Sequence, residues 1–193
     1  MNNDTPSKLS RTTVRLHWLI AFLMIMLLAS GLYISTTETF ALMPWHKSFG
    51  VLVFGFAVFR IIWRIKQGWP AHVGNYSRIE RILSKASHWI LISGTVIMPF
   101  SGFMMSAMGG YGVTAFGVEL FPTNTGPDGP FDFVAINESL KNIMSTVHSL
   151  AGDLILITVA LHTIGALKHH LIDKDATIRR MLGAKPHTKS TYE

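Results

Sequence analysis

Long apolar runs separated by short basic blocks organise this chain. Residues 16–34, LHWLIAFLMIMLLASGLYI, contain no Lys, Arg, Asp or Glu. A second run, 46–63, is broken only by Arg60 near its end. A third lies within the uncharged stretch 86–118, and a fourth, 143–167, carries one acid, Asp153. A spanning helix needs about 20 mostly apolar residues. The pattern therefore predicts helices over about 16–35, 46–65, 86–107 and 143–168. The expected fold class is all-α, a transmembrane four-helix bundle forming one domain over 1–193. A flexible N-terminal segment, 1–10, and a tail, about 183–193, flank it. The first run lacks an A-x-A cleavage site and is expected to remain as a helix rather than be removed as a signal peptide.

Composition agrees with this reading. Hydrophobic residues make up 49% of the 193 and charged residues 15%, against about 25% charged in a soluble domain. With no cysteine, disulfides, iron–sulfur clusters, thiolate nucleophiles and cysteine-attached haem are excluded. The net charge of +6 does not form a nucleic-acid stripe. It falls in blocks between the apolar runs. Of the 17 Lys and Arg residues, only Lys47 and Lys141 lie on the side opposite the termini. The positive-inside rule then puts both termini of this multi-pass membrane protein in the cytoplasm. No phosphate loop, hydrolytic nucleophile or nucleic-acid motif is present.

The connection 108–142 is consequently expected outside. Its glycines and prolines, Gly109, Gly110, Gly112, Pro122, Gly126, Pro127, Gly129 and Pro130, punctuate a loop. It reads equally as a functional lid or docking surface and as a plain connector.

Nine histidines in so apolar a chain require a role. His17, His46, His88, His148 and His162 fall within or at the edges of spans, where polar side chains are costly and face the bundle interior. His148 and His162 are fourteen residues apart. That spacing returns the side chain to within roughly 40° of its first direction, about 21 Å further along the helix. Each has a depth-matched partner: His46 for His148 near the outer surface, His17 for His162 near the cytoplasm. Two histidines facing across a bundle can supply both axial ligands of a haem iron. One turn on from each of the four stands a small residue, Ala21, Gly50, Gly152 or Ala166, whereas Ile92 follows His88. On that ground His88 is set aside as a ligand. The bland alternative is four hydrogen-bonded packing histidines. A zinc or copper site is a further alternative, but two histidines per depth are too few for structural zinc.

The residues R-L-H-W at 15–18, H-K-S-F-G at 46–50, R-I-I-W-R at 60–64 and the two helix-4 histidines fourteen apart carry a family resemblance. Over about residues 10–183 the sequence resembles the bacterial four-helix di-haem cytochrome b561 family. It is similar, more distantly, to the cytochrome b subunits of membrane-bound hydrogenases and formate dehydrogenases. The resemblance implies two haem b groups, with His17 and His162 on the cytoplasmic-side iron and His46 and His148 on the outer one. It also implies quinone-linked oxidoreduction with ubiquinone or menaquinone, and superoxide as donor in some members. Ser149 stands where members often carry Glu, which removes support for a proton role there.

Anionic haem propionates call for cations. Arg60, Arg64, Arg15 and Lys168 are available on the cytoplasmic side, and Lys47 and Lys141 outside. Arg60 lies deepest and is the first candidate there, with Lys47 the outer one. For Arg64 and Lys168 an orientation charge is favoured. His88 reads as a propionate or quinone contact or as packing. Asp153 points away from the proposed haem face, toward a helix contact, a homodimer partner or a quinone pocket. His72, His169, His170 and His187 are expected to be solvated.

Three functions compete. The first is transmembrane electron transfer with a quinone or a redox protein as terminal partner. The second is a membrane-anchor cytochrome for a dehydrogenase. The third is a small haem-free proton or solute transporter. Bound haem separates the first two from the third.

Overall fold

The computed structural model describes Asp4, residues 9–68 and residues 76–183. His72, His187 and most of the expected flexible ends lie outside the described residues. Four long helices are present: α1 (Arg11–Thr37), α2 (Met43–Gln67), α3 (Arg78–Met108) and α4 (Glu138–Leu171). All four are long and apolar enough to cross a membrane. A short helix, α5 (Thr177–Met181), follows.

Three of the long helices, α1, α3 and α4, start on a polar side-chain cap outside their apolar runs, whereas α2 starts with Pro44 in its first turn and without one. Ser10 accepts from Thr13 N–H at the start of α1, and Asn137 from Leu140 N–H at the start of α4. Ser77 and Glu80 form a reciprocal capping box on α3, so that helix begins eight residues before the expected 86. Such caps satisfy the first-turn N–H groups that the helix itself leaves unpaired.

Between 11% and 28% of the residues in each apolar window are buried inside the protein. Large apolar side chains such as Phe22, Ile65, Leu150 and Ile157 are exposed. In a soluble protein that surface would demand a partner; here it is the surface a lipid environment covers. The buried core is compact: Ile20, Leu23, Met24 and Leu27 of α1 pack with Val53 of α2 and Ile155 of α4. It occupies the middle of the bundle, between two layers that contain the span histidines.

The connection after α3 is not an irregular loop. Strands β1 (Tyr111–Ala115) and β2 (Val118–Thr123) form an antiparallel hairpin with a bulge at Val113/Thr114. Its turn residues Phe116 and Gly117 both have positive φ, 50° and 83°, the combination a tight two-residue hairpin turn requires. The hairpin folds back on α2: Phe116 N–H donates to Ser48 Oγ at 3.0 Å, and the Phe116 ring meets Phe49 edge-on at 5.4 Å. Val113 and Ala115 are buried beneath it.

At the opposite end the termini gather. Asp4 pairs with Arg64 at 3.0 Å, and Trp18 Nε1–H donates to the Met181 carbonyl at 2.7 Å. Tyr76 donates to Asp175 at 2.7 Å. One end of the bundle is thus a terminal end and the other a hairpin end.

Candidate functional site

The hairpin-end layer draws one polar group from each helix. His46 enters from α2 and His148 from α4. Their rings lie 6.4 Å apart, centre to centre, at 78°. His46 Nδ1 is 2.8 Å from Ser30 Oγ on α1. The Ser30 hydroxyl proton is directed to the Leu27 carbonyl at 3.0 Å, so Oγ accepts and His46 Nδ1–H donates. His148 Nδ1 is 2.9 Å from the Met98 carbonyl on α3, which can only accept, and 3.3 Å from Ser101 Oγ. Both imidazoles therefore carry their proton on Nδ1 and keep the Nε2 lone pair. A metal-ligating histidine is usually oriented in this way.

Two glycines make room for these rings. A Cβ on Gly102 would stand 2.9 Å from His148 Cε1, and one on Gly31 would stand 3.3 Å from His46 Cε1. They lie on the neighbouring helices, α3 and α1. The glycines one turn beyond His46 and His148 do not contact the rings. A Cβ on Gly50 would have nothing within 4 Å, and one on Gly152 would meet Met98. The open space at Gly50 is the kind of room a porphyrin plate would need, and the glycines that touch the imidazoles themselves are a second, separate feature.

The terminal-end layer is built differently. His17 Nδ1 faces Arg60 Nη2 at 3.4 Å. Because a guanidinium only donates, His17 Nδ1 accepts in this arrangement. Trp18 packs edge-on against the His17 ring at 5.5 Å. His162 has a histidine neighbour, but it is His88 on α3, at 5.2 Å between ring centres and 90°. His17 lies within electrostatic range of both. His88 itself is anchored, its Nδ1 donating to the Ser84 carbonyl at 2.6 Å. The histidine set aside at the sequence level is thus part of this layer.

The remaining candidates separate clearly. Arg60 lies beside the terminal-end histidines. Lys47 donates from Nζ to the carbonyls of Gly112 at 3.0 Å and Tyr111 at 3.5 Å, which ties α2 to the hairpin. Arg64 binds Asp4 and the Gly68 carbonyl. Lys168 pairs with Glu80 and Asp173. Asp153 is exposed. His169 and His170 are not solvated as expected. His169 Nδ1 bonds Asp173 at 2.6 Å, and His170 Nδ1 is buried. They pack where α4 meets the turn into α5, which a reading of the tail as loop does not anticipate.

The hairpin-end pair fits a haem iron. Two imidazoles sharing one metal ion, each bonded at about 2 Å, have ring centres on the order of 6 Å apart. Among the described residues no group of three or more His, Cys, Asp or Glu side chains could hold a metal ion, so a four-ligand zinc site has no counterpart. Two neutral imidazoles with free Nε2 atoms are the donor set a low-spin haem uses.

Comparison with known proteins gives the same direction. The profile of the prokaryotic cytochrome b561 family matches residues 8–184. The chain is 27% identical over 187 residues to Cytochrome b561 homolog 2 of Escherichia coli K12, covering 93% of this chain and 94% of that one. It is 24% identical over 182 residues to a Yersinia pestis protein named Probable superoxide oxidase CybB, covering 92% and 97%. It is 23% identical over 181 residues to Cytochrome b561 homolog 1 of Escherichia coli K12, covering 91% and 97%. The four apolar helices, the paired imidazoles and a match over nearly the whole length lead to one conclusion: the chain belongs to the prokaryotic cytochrome b561 family, membrane electron-transfer proteins that bind b-type haem.

Proposed function

We propose that this protein passes electrons across a bacterial inner membrane through two b-type haems, with a quinone as one terminal partner. His46 and His148 hold the iron near the outer surface, and His17 and His162 hold the one near the cytoplasm. The single observation that carries the reading is the 6.4 Å His46–His148 pair, with both Nδ1 atoms already engaged. Haem supplies the one-electron chemistry. The chain supplies ligands, orientation and a dry apolar layer between the two sites. Arg60 offers a cation to the cytoplasmic-side propionates. The bias of basic residues toward the terminal end supports cytoplasmic termini.

The name of the Yersinia pestis relative raises superoxide as a donor. The residues here do not favour an anion at the hairpin end. Glu38, Glu119, Asp128, Asp132 and Glu138 face Lys47 and Lys141 there, and Lys47 is engaged by backbone carbonyls. Quinone, which needs no electrostatic attraction, is the partner we propose.

The test is a reduced-minus-oxidised spectrum of detergent-purified protein with haem quantified per chain. The expected result is a low-spin b-type spectrum and two haems. His46→Ala and His148→Ala should each remove the same haem, and His17→Ala and His162→Ala the other. Purification without haem, after expression with ample haem supply, would overturn the reading.

A further inference from the structure

Helices α3 and α4 run antiparallel in a register that can be followed along their length. Gly94 packs on Ile155, Gly152 on Met98, and Glu80 pairs with Lys168. In that register each α4 histidine meets a matching segment of α3. His148 meets Met98, Ser101 and Gly102. His162, fourteen residues later, meets His88, which belongs to the segment fourteen residues earlier, Ser84, Ser87 and His88.

The two segments differ in one respect. At the hairpin end the Met98 carbonyl accepts directly from His148 Nδ1–H. At the terminal end the equivalent carbonyl, Ser84, is taken by His88 Nδ1–H at 2.6 Å. His88 occupies the position of Gly102, where the hairpin-end layer has no side chain at all. With Nδ1 spent on Ser84, the hydrogen-bonding atom left on His88 is Nε2, an acceptor. His162, once its own Nε2 serves as a ligand, keeps Nδ1–H, a donor. The two rings are 5.2 Å apart, centre to centre, and perpendicular; at that separation two imidazole nitrogens turned toward each other stand about 3 Å apart, within hydrogen-bond reach.

We propose that His88 is the positioning residue of His162. It relays the Ser84 carbonyl, through its own ring, to the ligand that the hairpin-end site anchors on a carbonyl directly. The inference rests on the reading of His162 as a haem ligand. An acceptor on the far nitrogen of a ligating imidazole raises the basicity of that ligand and favours the ferric state. Removing it makes that haem, and only that haem, easier to reduce.

The experiment is a redox titration of the purified two-haem protein, with the low-spin EPR signal of each haem recorded. The terminal-end haem is identified as the one missing in His162→Ala. His88→Phe, which keeps a ring but has no acceptor, should shift the reduction equilibrium of that haem by about tenfold, roughly 59 mV for one electron. Its EPR signal should move while the other stays fixed. His88→Gln, which retains an acceptor, should restore most of the shift. Unchanged potentials and spectra in His88→Phe overturn the proposal. If His88→Phe loses the haem, retention in His88→Gln supports the proposal, and equal loss in both overturns it. Retention of both haems in His162→Ala would sink the ligand reading itself, a result separate from either of these.

Discussion

The hairpin-end and terminal-end histidine layers use the same four helices, yet hold their rings by different means. At the hairpin end each imidazole is fixed by a neutral acceptor and flanked by a glycine: Ser30 and Gly31 for His46, the Met98 carbonyl and Gly102 for His148. The Nε2 atoms are left free, and the ring separation already suits one shared metal ion. At the terminal end the neighbours are bulky and polar: Arg60 and Trp18 for His17, and His88 for His162. The hairpin-end site is organised by the protein backbone and its packing. The terminal-end site is held by side chains instead, which are freer to move than backbone: Arg60 donates to His17 Nδ1. Rigid sites lose function through crowding, and adaptable sites through lost partners, so the two layers should respond to different substitutions.

Crowding should produce the largest effect. In Gly102→Val the new Cβ would stand 2.9 Å from His148 Cε1, closer than real side chains come. Packed interiors resist such intrusion, at a cost of typically 1–3 kcal/mol. The His148 ring must leave its position, and, on the proposed ligation, haem content should fall toward one per chain with the terminal-end haem retained. Gly31→Ala, at 3.3 Å from His46, should lower occupancy only partly. Full haem content in Gly102→Val would show that the layer is not rigid, and the contrast between the two sites would lose its basis.

A smaller effect is expected from the anchors. Ser30→Ala removes the acceptor of His46 Nδ1–H while leaving the Met98 anchor of His148 in place. The hairpin-end haem should become easier to reduce by less than tenfold in its equilibrium, since one of two ligands loses one hydrogen bond. A redox titration beside His88→Phe would sharpen the comparison. Each variant should move one haem, and not the same one.

These contrasts also mark where sequence reading stops. The four spans, the histidine depths and the place of Arg60 follow from hydropathy, charge and helical spacing, because each is a property of one helix and its flanks. The partners of the imidazoles are properties of two helices. Nothing in the α1 segment containing Ser30 and Gly31 announces His46, and nothing local to His88 announces that the α3–α4 packing sets it beside His162. The hairpin was hidden for a related reason. Its turn is Phe116-Gly117, and phenylalanine is a poor resident of positive φ compared with the asparagine or glycine that signals such a turn. Contacts with Ser48 and Phe49 on α2 hold it there, and those contacts are invisible to a local pattern. Extension of α3 back to Arg78 was missed because hydropathy tracks the membrane, whereas Ser77 and Glu80 cap the helix in the polar region beyond it.

The two ends of the bundle differ in their fastenings as well, and this yields the smallest expected effect. The hairpin is fastened by groups that do not titrate in acid: Ser48 Oγ accepts from Phe116 N–H and donates to the Pro44 carbonyl. The terminal end is fastened by carboxylates. Burial pushes the Asp4 carboxyl up, but hydrogen bonds from Ser10 and Thr13 and the Arg64 guanidinium outweigh it and hold the group below its ordinary value. A depressed carboxylate stabilises the fold fully above its unfolded value of 3.8, and that contribution is lost as the pH falls through the lower folded value. Asp4→Asn should therefore cost about 1 kcal/mol at neutral pH, seen as a fall of about 2–4 °C in the thermal midpoint in detergent. The difference from the unsubstituted protein should close as the pH drops below about 4. Ser48→Ala should carry a similar penalty that stays constant over the same range. Parallel pH profiles for the two variants would mean that Asp4 acts through its shape alone, and that charge does not distinguish how the two ends are closed.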